Sequence, residues 1–272
     1  MSCHPRVTEW TLPIQAHLPH VSKPQATVLA LWSLGMVLAR SCALTAGSAF
    51  LAPWLHRKEP TVRQQLREFC YAASAKRGTA RCALPVEPCV VPLLAWVVAQ
   101  WEGTQLALAL EATTLGTRFT VLALSVVSRG CAIPVAWTVL PAPAKHAWRR
   151  EWLRMLRQVR RAVPRAWTVI VLADRGLYAR WLFRRITRLG WPPFLRINTG
   201  GIFRPKGQVR GVPLKTLVPE PGTTWQGTGI ACKGRHRQRH CTLLACWEAG
   251  DKAPWLILTD LPPEASTACW YG

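Results

Sequence analysis

Apolar positions change their spacing twice along this chain, and each change marks a change of element. Up to about residue 102 the apolar runs are long, rich in Leu and Ala, and broken at helical intervals: "VLALWSLGMVLARSCALTAGSAFLA", then "PTVRQQLREFCYAASAKRG", then "VVPLLAWVVAQWEG". Thr61 with Gln64 three positions later gives the second of these a capping-box start. Residues 1–102 are therefore expected to form a helical N-terminal domain. From Thr104 the runs shorten to strand length. "QLALALEA", "RFTVLALSVVSRG" and "CAIPVAWTVLPA" read as three successive strands, the first ending near Glu111 and the last two joined by a turn at Arg129-Gly130.

The period then switches. Trp148, Trp152, Met155, Leu156 and Val159 recur at helical spacing, six Arg fill other positions between 149 and 161, and Pro164 stops the helix. "WTVIVLA" is an uninterrupted apolar run, as in a strand buried on both faces, and ends at Asp174. "LYARWLFRRITRLG" returns to helical period with Gly190 as its stop, and "PPFLRIN" is a fifth strand. The order across residues 103–198 is β-β-β-α-β-α-β, an α/β core. Residues 199–272 are rich in Gly, Pro and Trp, with strand-like runs "CTLLACW" and "PWLILTD". They are expected to form a β-rich insertion.

Charge adds a partner to this outline. The 272 residues hold 35 Lys and Arg against 13 acids, a formal charge of +22, and most of the positive charge is Arg. That balance points to a polyanion, and forked guanidinium contacts suit phosphate. Half the residues are apolar, which excludes a disordered chain. The start, "MSCHPRVTEW", has no signal-peptide core, and the run "ATVLALWSLGMVLA" is too short to span a bilayer before Arg40, so no membrane partner is expected. Ten Cys are scattered without a CxxC pair, and those such as Cys42, Cys131 and Cys246 read as reduced core thiols of a cytoplasmic protein. Cys232, His236, His240, Cys241 and Cys246 lie close in sequence but lack zinc-site spacing, so no zinc is expected.

Only three Asp occur, Asp174, Asp251 and Asp260, which makes each acid informative. Asp174 and Glu111 each follow a predicted buried strand. Were those strands neighbours, the carboxylates would share one sheet edge, where two like charges need a compensating cation. Mg²⁺ (or Mn²⁺) suits such a pair, held by one or two carboxylates plus phosphate oxygens. The competing reading of Asp174 is a helix N-cap, and that of Glu111 a surface acid. No phosphate-binding Gly-Lys loop and no serine elbow occur, and Gly227-Thr228-Gly229 is too short for a dinucleotide loop, so no nucleotide cofactor is expected.

The element order, with acids after strands one and four, resembles the ribonuclease H-like (integrase-like) core of DDE transposases. "VIVLADRGLYARWLF…LGWPPFLRI", "LEATTLGTRFTVLALSVVSRGCAIPVAW" and "CTLLACWEAGDKAPWLILTDLPP" resemble blocks of bacterial insertion-sequence transposases of the insertion-sequence-four family, in order, from about Arg67 onward. The resemblance implies a mixed sheet with flanking helices and a β-rich insertion after strand five. It implies metal-dependent cleavage and strand transfer at transposon ends. Its partners would be double-stranded DNA, both transposon ends and target, and a second copy of the chain in the DNA complex. Glu111 and Asp174 would bind the metal. Arg175, Arg180, Arg184 and Arg196 are candidates for phosphate contacts or solvated positions, and Trp181 for core. Asp260 falls within the insertion, so the resemblance does not make it the third acid. The expected location is the cytoplasm, with the nucleoid.

Two departures qualify the resemblance. The family has Asp at the position of Glu111. Its last block reads Tyr, Arg, Glu, Lys on a helix, whereas this chain stops at Trp270-Tyr271-Gly272, with Tyr271 matching only the Tyr. The resemblance thus implies a chain cut short before its third acid, catalytically weak or inactive, with apolar surface left uncovered where that helix would lie.

Overall fold

A computed structural model describes residues 5–76, 78, 82–142, 148–231 and 239–266. Two compact units divide it, Met1–Gln100 and Trp101–Gly272.

Among the described residues the first unit holds five α-helices: α1 Pro5–His17, α2 Lys23–Ala39, α3 Leu44–Trp54, α4 Glu59–Phe69 and α5 Val90–Ala99. The apolar helix expected to end at Arg40 is α2, and the apolar residues beyond it form a second helix, α3. Arg40 adopts the left-handed conformation (φ 48°). There its N–H bonds the Val37 carbonyl at 3.2 Å and that of Ser41 bonds Met36 at 3.1 Å, which closes α2. The turn lets α3 fold back so that Leu31 and Leu34 share a core with Leu51, Val62 and Leu66. The Thr61 capping box does not form. Pro60 suits the first helical turn, so α4 begins ahead of Thr61, at Glu59. A capping contact occurs instead at α2, where Ser22 N–H donates to Gln25 Oε1 at 3.1 Å. Among the described residues no single helix is long and apolar enough to cross a membrane.

The second unit is built on one ten-stranded mixed sheet, in the order β3-β2-β1-β4-β5-β10-β9-β8-β6-β7. Its strands are β1 Gln105–Leu115, β2 Phe119–Ser128, β3 Cys131–Pro141, β4 Thr168–Ala173, β5 Pro193–Arg196, β6 Ile202–Pro205, β7 Val212–Pro213, β8 Thr224–Ala231, β9 Arg239–Cys246 and β10 Trp255–Thr259. Helices α6 Trp148–Ala162 and α7 Arg180–Thr187 connect β3 to β4 and β4 to β5. β1 to β3 form an antiparallel meander, while β1, β4 and β5 are parallel. The expected β-β-β-α-β-α-β order is thus realised. The β-rich segment does not stand apart: β10 pairs with β5, so β6 to β10 widen the same sheet.

The two faces of the sheet differ. One carries Leu106, Leu108 and Leu110 of β1, Leu122, Leu124 and Val126 of β2, and Val169, Val171 and Ala173 of β4, all buried. The apolar stripe of α6, Trp152, Met155, Leu156 and Val159, is buried against this side. The opposite face of β1 to β3 carries Ala107, Ala109, Glu111, Ala123 and Trp137, and it is less covered. On it Leu115, Phe119, Trp137 and Val139 are exposed apolar side chains. Gly227 and Gly229, dismissed as a cofactor loop, lie inside β8. A Cβ on Gly229 would lie 2.3 Å from the Arg204 carbonyl oxygen, so glycine is what lets β6 approach.

Candidate metal and nucleic-acid site

Strand register decides where the acids meet. The parallel ladder between β1 and β4 runs from Gln105 opposite Thr168 to Leu110 opposite Ala173. Glu111 and Asp174 are the next residue on each strand. Paired residues share a face, so both carboxylates project from the less covered side, on strands about 4.8 Å apart. Glu111 is not at the end of its strand, as expected. β1 continues to Leu115 because β2 still pairs with it, Glu111 opposite Ala123; only the pairing with β4 stops. Asp174 is not a helix N-cap either: α7 starts at Arg180, with Ala179 in the cap position. Asp174 instead begins a turn, its carbonyl accepting from Leu177 N–H at 2.9 Å.

A third charged group completes this row. Leu172 pairs with Phe194 and Ala173 with Leu195, which puts Arg196 of β5 level with Asp174 on the same face. Arg196 Nη1 lies 3.3 Å from Asp174 Oδ1, with the Asp174 side chain 64% exposed and that of Arg196 19%. The guanidinium stacks on Trp255, its Cζ 3.8 Å from the ring centroid. Ile257 pairs with Arg196, so Trp255, two residues before it on β10, shares that face. Glu111, Asp174 and Arg196 therefore form one row across β1, β4 and β5. Arg196 thus sets a positive charge of the protein itself beside Asp174.

The other expected contacts lie elsewhere. Arg175 is exposed in the turn after Asp174, Arg180 is half-buried at the start of α7, and Arg184 is exposed on α7. The four arginines do not converge: α7 covers the far side of the sheet from Arg196. Trp181 is half-buried, with the Arg149 guanidinium 5.6 Å from its ring centroid. Trp255 had no sequence signal, because it reaches the site only through the pairing of β10 with β5, strands far apart in the chain.

Several cysteines correct the sequence reading. Cys42 and Cys131 are exposed, not core, since one lies in the α2–α3 connection and the other opens β3 at a turn; Cys246 is half-buried. Burial is the first cause that raises the Cys246 thiol pKa, followed by Glu248 and Asp251. In the basic stretch, His240 and Cys241 are neighbours on β9 and point to opposite faces, while Cys232 and His236 lie outside the described residues. Among the described residues no group of three or more His, Cys, Asp or Glu could hold a metal. Glu111 and Asp174 supply two carboxylates, which fits a hard divalent ion completed by water and phosphate oxygens. Tyr271, the residue matched to the last catalytic block, lies outside the described residues.

Asp260 has a different role. Burial raises its carboxyl pKa, offset by a hydrogen bond with the Thr187 side chain of α7, one within its own residue, and nearby Arg239. It ties β10 to α7. A raised folded pKa means the folded state holds the proton more tightly than the unfolded chain, so its contribution to stability is present below the unfolded pKa and lost as pH rises through the folded one. Asp260→Asn should therefore melt higher than the parent at pH 7, with the difference closing as pH falls towards 4. A difference that does not change with pH would show that the charge is not the cause. A cavity of about 660 Å³ between Lys206, Thr228, His240 and Leu261 lies apart from the acid row.

No family model matches the chain, and no curated protein matches it. Among solved structures it resembles a chain of the Mos1 strand transfer complex at 15% identity, with a TM-score of 0.23, over 58% of this chain and 55% of that one. It resembles YeaZ from Pseudomonas aeruginosa at 18% identity, with a TM-score of 0.22, over 62% and 72%. Neither likeness is close enough to carry an argument.

Proposed function

We propose that the second unit is a ribonuclease H-like nucleic-acid-processing core of the DDE transposase kind. The observation that carries the reading is the register: Glu111 and Asp174 each come directly after the last β1–β4 pair, Leu110 with Ala173, in a β3-β2-β1-β4-β5 array, as the sequence resemblance expects of its first two acids. The net charge of +22 supports duplex DNA as the partner. Glu111 and Asp174 would hold Mg²⁺ or Mn²⁺ with phosphate oxygens of the strand. Bound there, a divalent ion lowers the pKa of an attacking water and offsets charge on the leaving oxygen. Arg196, paired with Asp174 and stacked on Trp255, would supply a positive charge beside those two residues.

Activity of this chain alone is expected to be weak. Two carboxylates face the site, and Glu111 is one methylene longer than the Asp of the resembled family, displacing its carboxylate by on the order of 1 Å. Errors of that size cost two-metal chemistry heavily. The test is Mn²⁺-dependent nicking of a duplex. Slow nicking is expected from the parent, none from Asp174→Ala, and faster nicking from Glu111→Asp. Efficient nicking that survives Asp174→Ala would place the chemistry elsewhere. Salt-sensitive duplex binding with no nicking by any variant would favour a DNA-binding protein without chemistry.

A further inference from the structure

Much of the positive charge lies away from the acids. Residues 148–191 hold twelve arginines against two acids, Glu151 and Asp174, or ten of the net +22. Most lie on α6 and α7 or at their ends, on the face of the sheet opposite Glu111 and Asp174. Helical spacing sorts the arginines of α6. Arg150, Arg154, Arg157 and Arg161 recur at intervals of four, three and four, which is one stripe. The buried stripe of Trp152, Met155, Leu156 and Val159 lies on the other side of the helix. Of the outer four, Arg150, Arg157 and Arg161 are exposed, and Arg154 pairs with Glu151 at 2.9 Å.

Arg149 and Arg160 lie between these stripes and stack on tryptophans. The Arg149 guanidinium is 5.6 Å from the Trp181 ring centroid on α7, and that of Arg160 is 5.8 Å from the centroid of Trp191, just beyond α7. These stacks link α6 to Trp181 of α7 and to Trp191 beyond it, and α7 adds exposed Arg184, with Arg188 following it. The outcome is a basic ridge along α6, about 22 Å long.

We infer that this ridge is a docking surface for duplex DNA, separate from the strand presented to the acids. Forked guanidiniums along one stripe suit successive phosphates of a stiff polyanion. A membrane surface fits worse, because a helix lying in a bilayer interface must turn its apolar stripe towards lipid, and that of α6 is buried against the sheet. Because the sheet lies between ridge and acids, a duplex on the ridge is held away from the chemistry. The inference does not depend on the metal reading.

The test is fluorescence anisotropy of a labelled 30-base-pair duplex at 50–200 mM NaCl, with Arg150→Gln/Arg157→Gln/Arg161→Gln in the full chain. These residues point outward, so the melting temperature should be kept. Losing three phosphate contacts should weaken binding at least tenfold at 100 mM salt and lower the salt slope by about 3. A matched triple variant in the helical unit, Arg57→Gln/Arg63→Gln/Arg67→Gln, should change affinity less than threefold. Unchanged affinity in the ridge variant would overturn the inference. So would equal losses in both variants, which would mean net charge alone acts. So too would loss of binding to phosphatidylserine vesicles with duplex binding intact. Mn²⁺ binding at Asp174 should be unaltered in the ridge variant, which separates this outcome from failure of the metal site.

Discussion

Asp174→Ala should weaken Mn²⁺ binding at least tenfold, while Arg196→Ala should strengthen it by about three- to tenfold. The two residues lie 3.3 Å apart, yet they are expected to act in opposite directions. Asp174 supplies a ligand. Arg196 occupies that ligand and adds a positive charge within a few ångströms of the incoming ion. Two unit charges at about 4 Å interact by roughly 1 kcal/mol in water and roughly 4 kcal/mol near a protein surface. Asp174 is mostly solvent-exposed, so the lower end applies, and the ion pair itself contributes no more than about 1 kcal/mol. That is why Arg196 is expected to weaken metal binding without preventing it. Arg196→Lys keeps the charge but loses the planar stack on Trp255, and should fall between the parent and Arg196→Ala. Titration calorimetry with MnCl₂ at low ionic strength reads all three. Equal affinity in Arg196→Ala and the parent would mean that the ion and the guanidinium do not share Asp174. Unchanged affinity in Asp174→Ala would remove the metal site itself.

The two acids were legible in the sequence, and the cation beside Asp174 was not. Apolar runs of strand length, each closed by an acid, located Glu111 and Asp174, and register then placed them side by side. The inference from two close carboxylates to a metal assumed no cation in the protein would answer them. Arg196 pairs with Asp174, and its position depends on β5 pairing with β4 in register, which no local pattern in "PPFLRIN" encodes. Trp255 is further from view, since it arrives by a pairing across some sixty residues of chain. Local punctuation was also incomplete. The apolar run was read to end at Arg40, but the left-handed conformation of that non-glycine residue, which closes α2, had no sequence signal. The extension of β1 past Glu111 rests on its partner: Thr113 and Leu115 stay in strand because Val121 and Phe119 pair with them. By contrast, α6 was legible in full, because apolar and arginine stripes alternate at a single period along it.

Two tryptophans that composition cannot tell apart should behave oppositely when truncated. Trp152→Ala is expected to destabilise the second unit by about 3–5 kcal/mol, a large share of a total commonly near 5–15 kcal/mol. Trp152 is 1% exposed and sits in the α6 stripe packed towards β2 and β3. Its loss leaves a cavity between α6 and the sheet that the strands cannot close without moving. Trp137→Ala, on the opposite face of β3 and 41% exposed, should cost less than about 1 kcal/mol. Urea unfolding of both variants, followed by tryptophan fluorescence and circular dichroism, measures the difference. The consequence extends to binding, because α6 holds the arginine ridge only while its apolar stripe is docked. Near the unfolding midpoint of Trp152→Ala, duplex affinity should fall together with helicity, whereas Trp137→Ala should bind as the parent does. Full duplex affinity in a Trp152→Ala protein that has lost its helical signal would show that the ridge needs no folded α6, and would count against the ordered guanidinium stripe as the binding element.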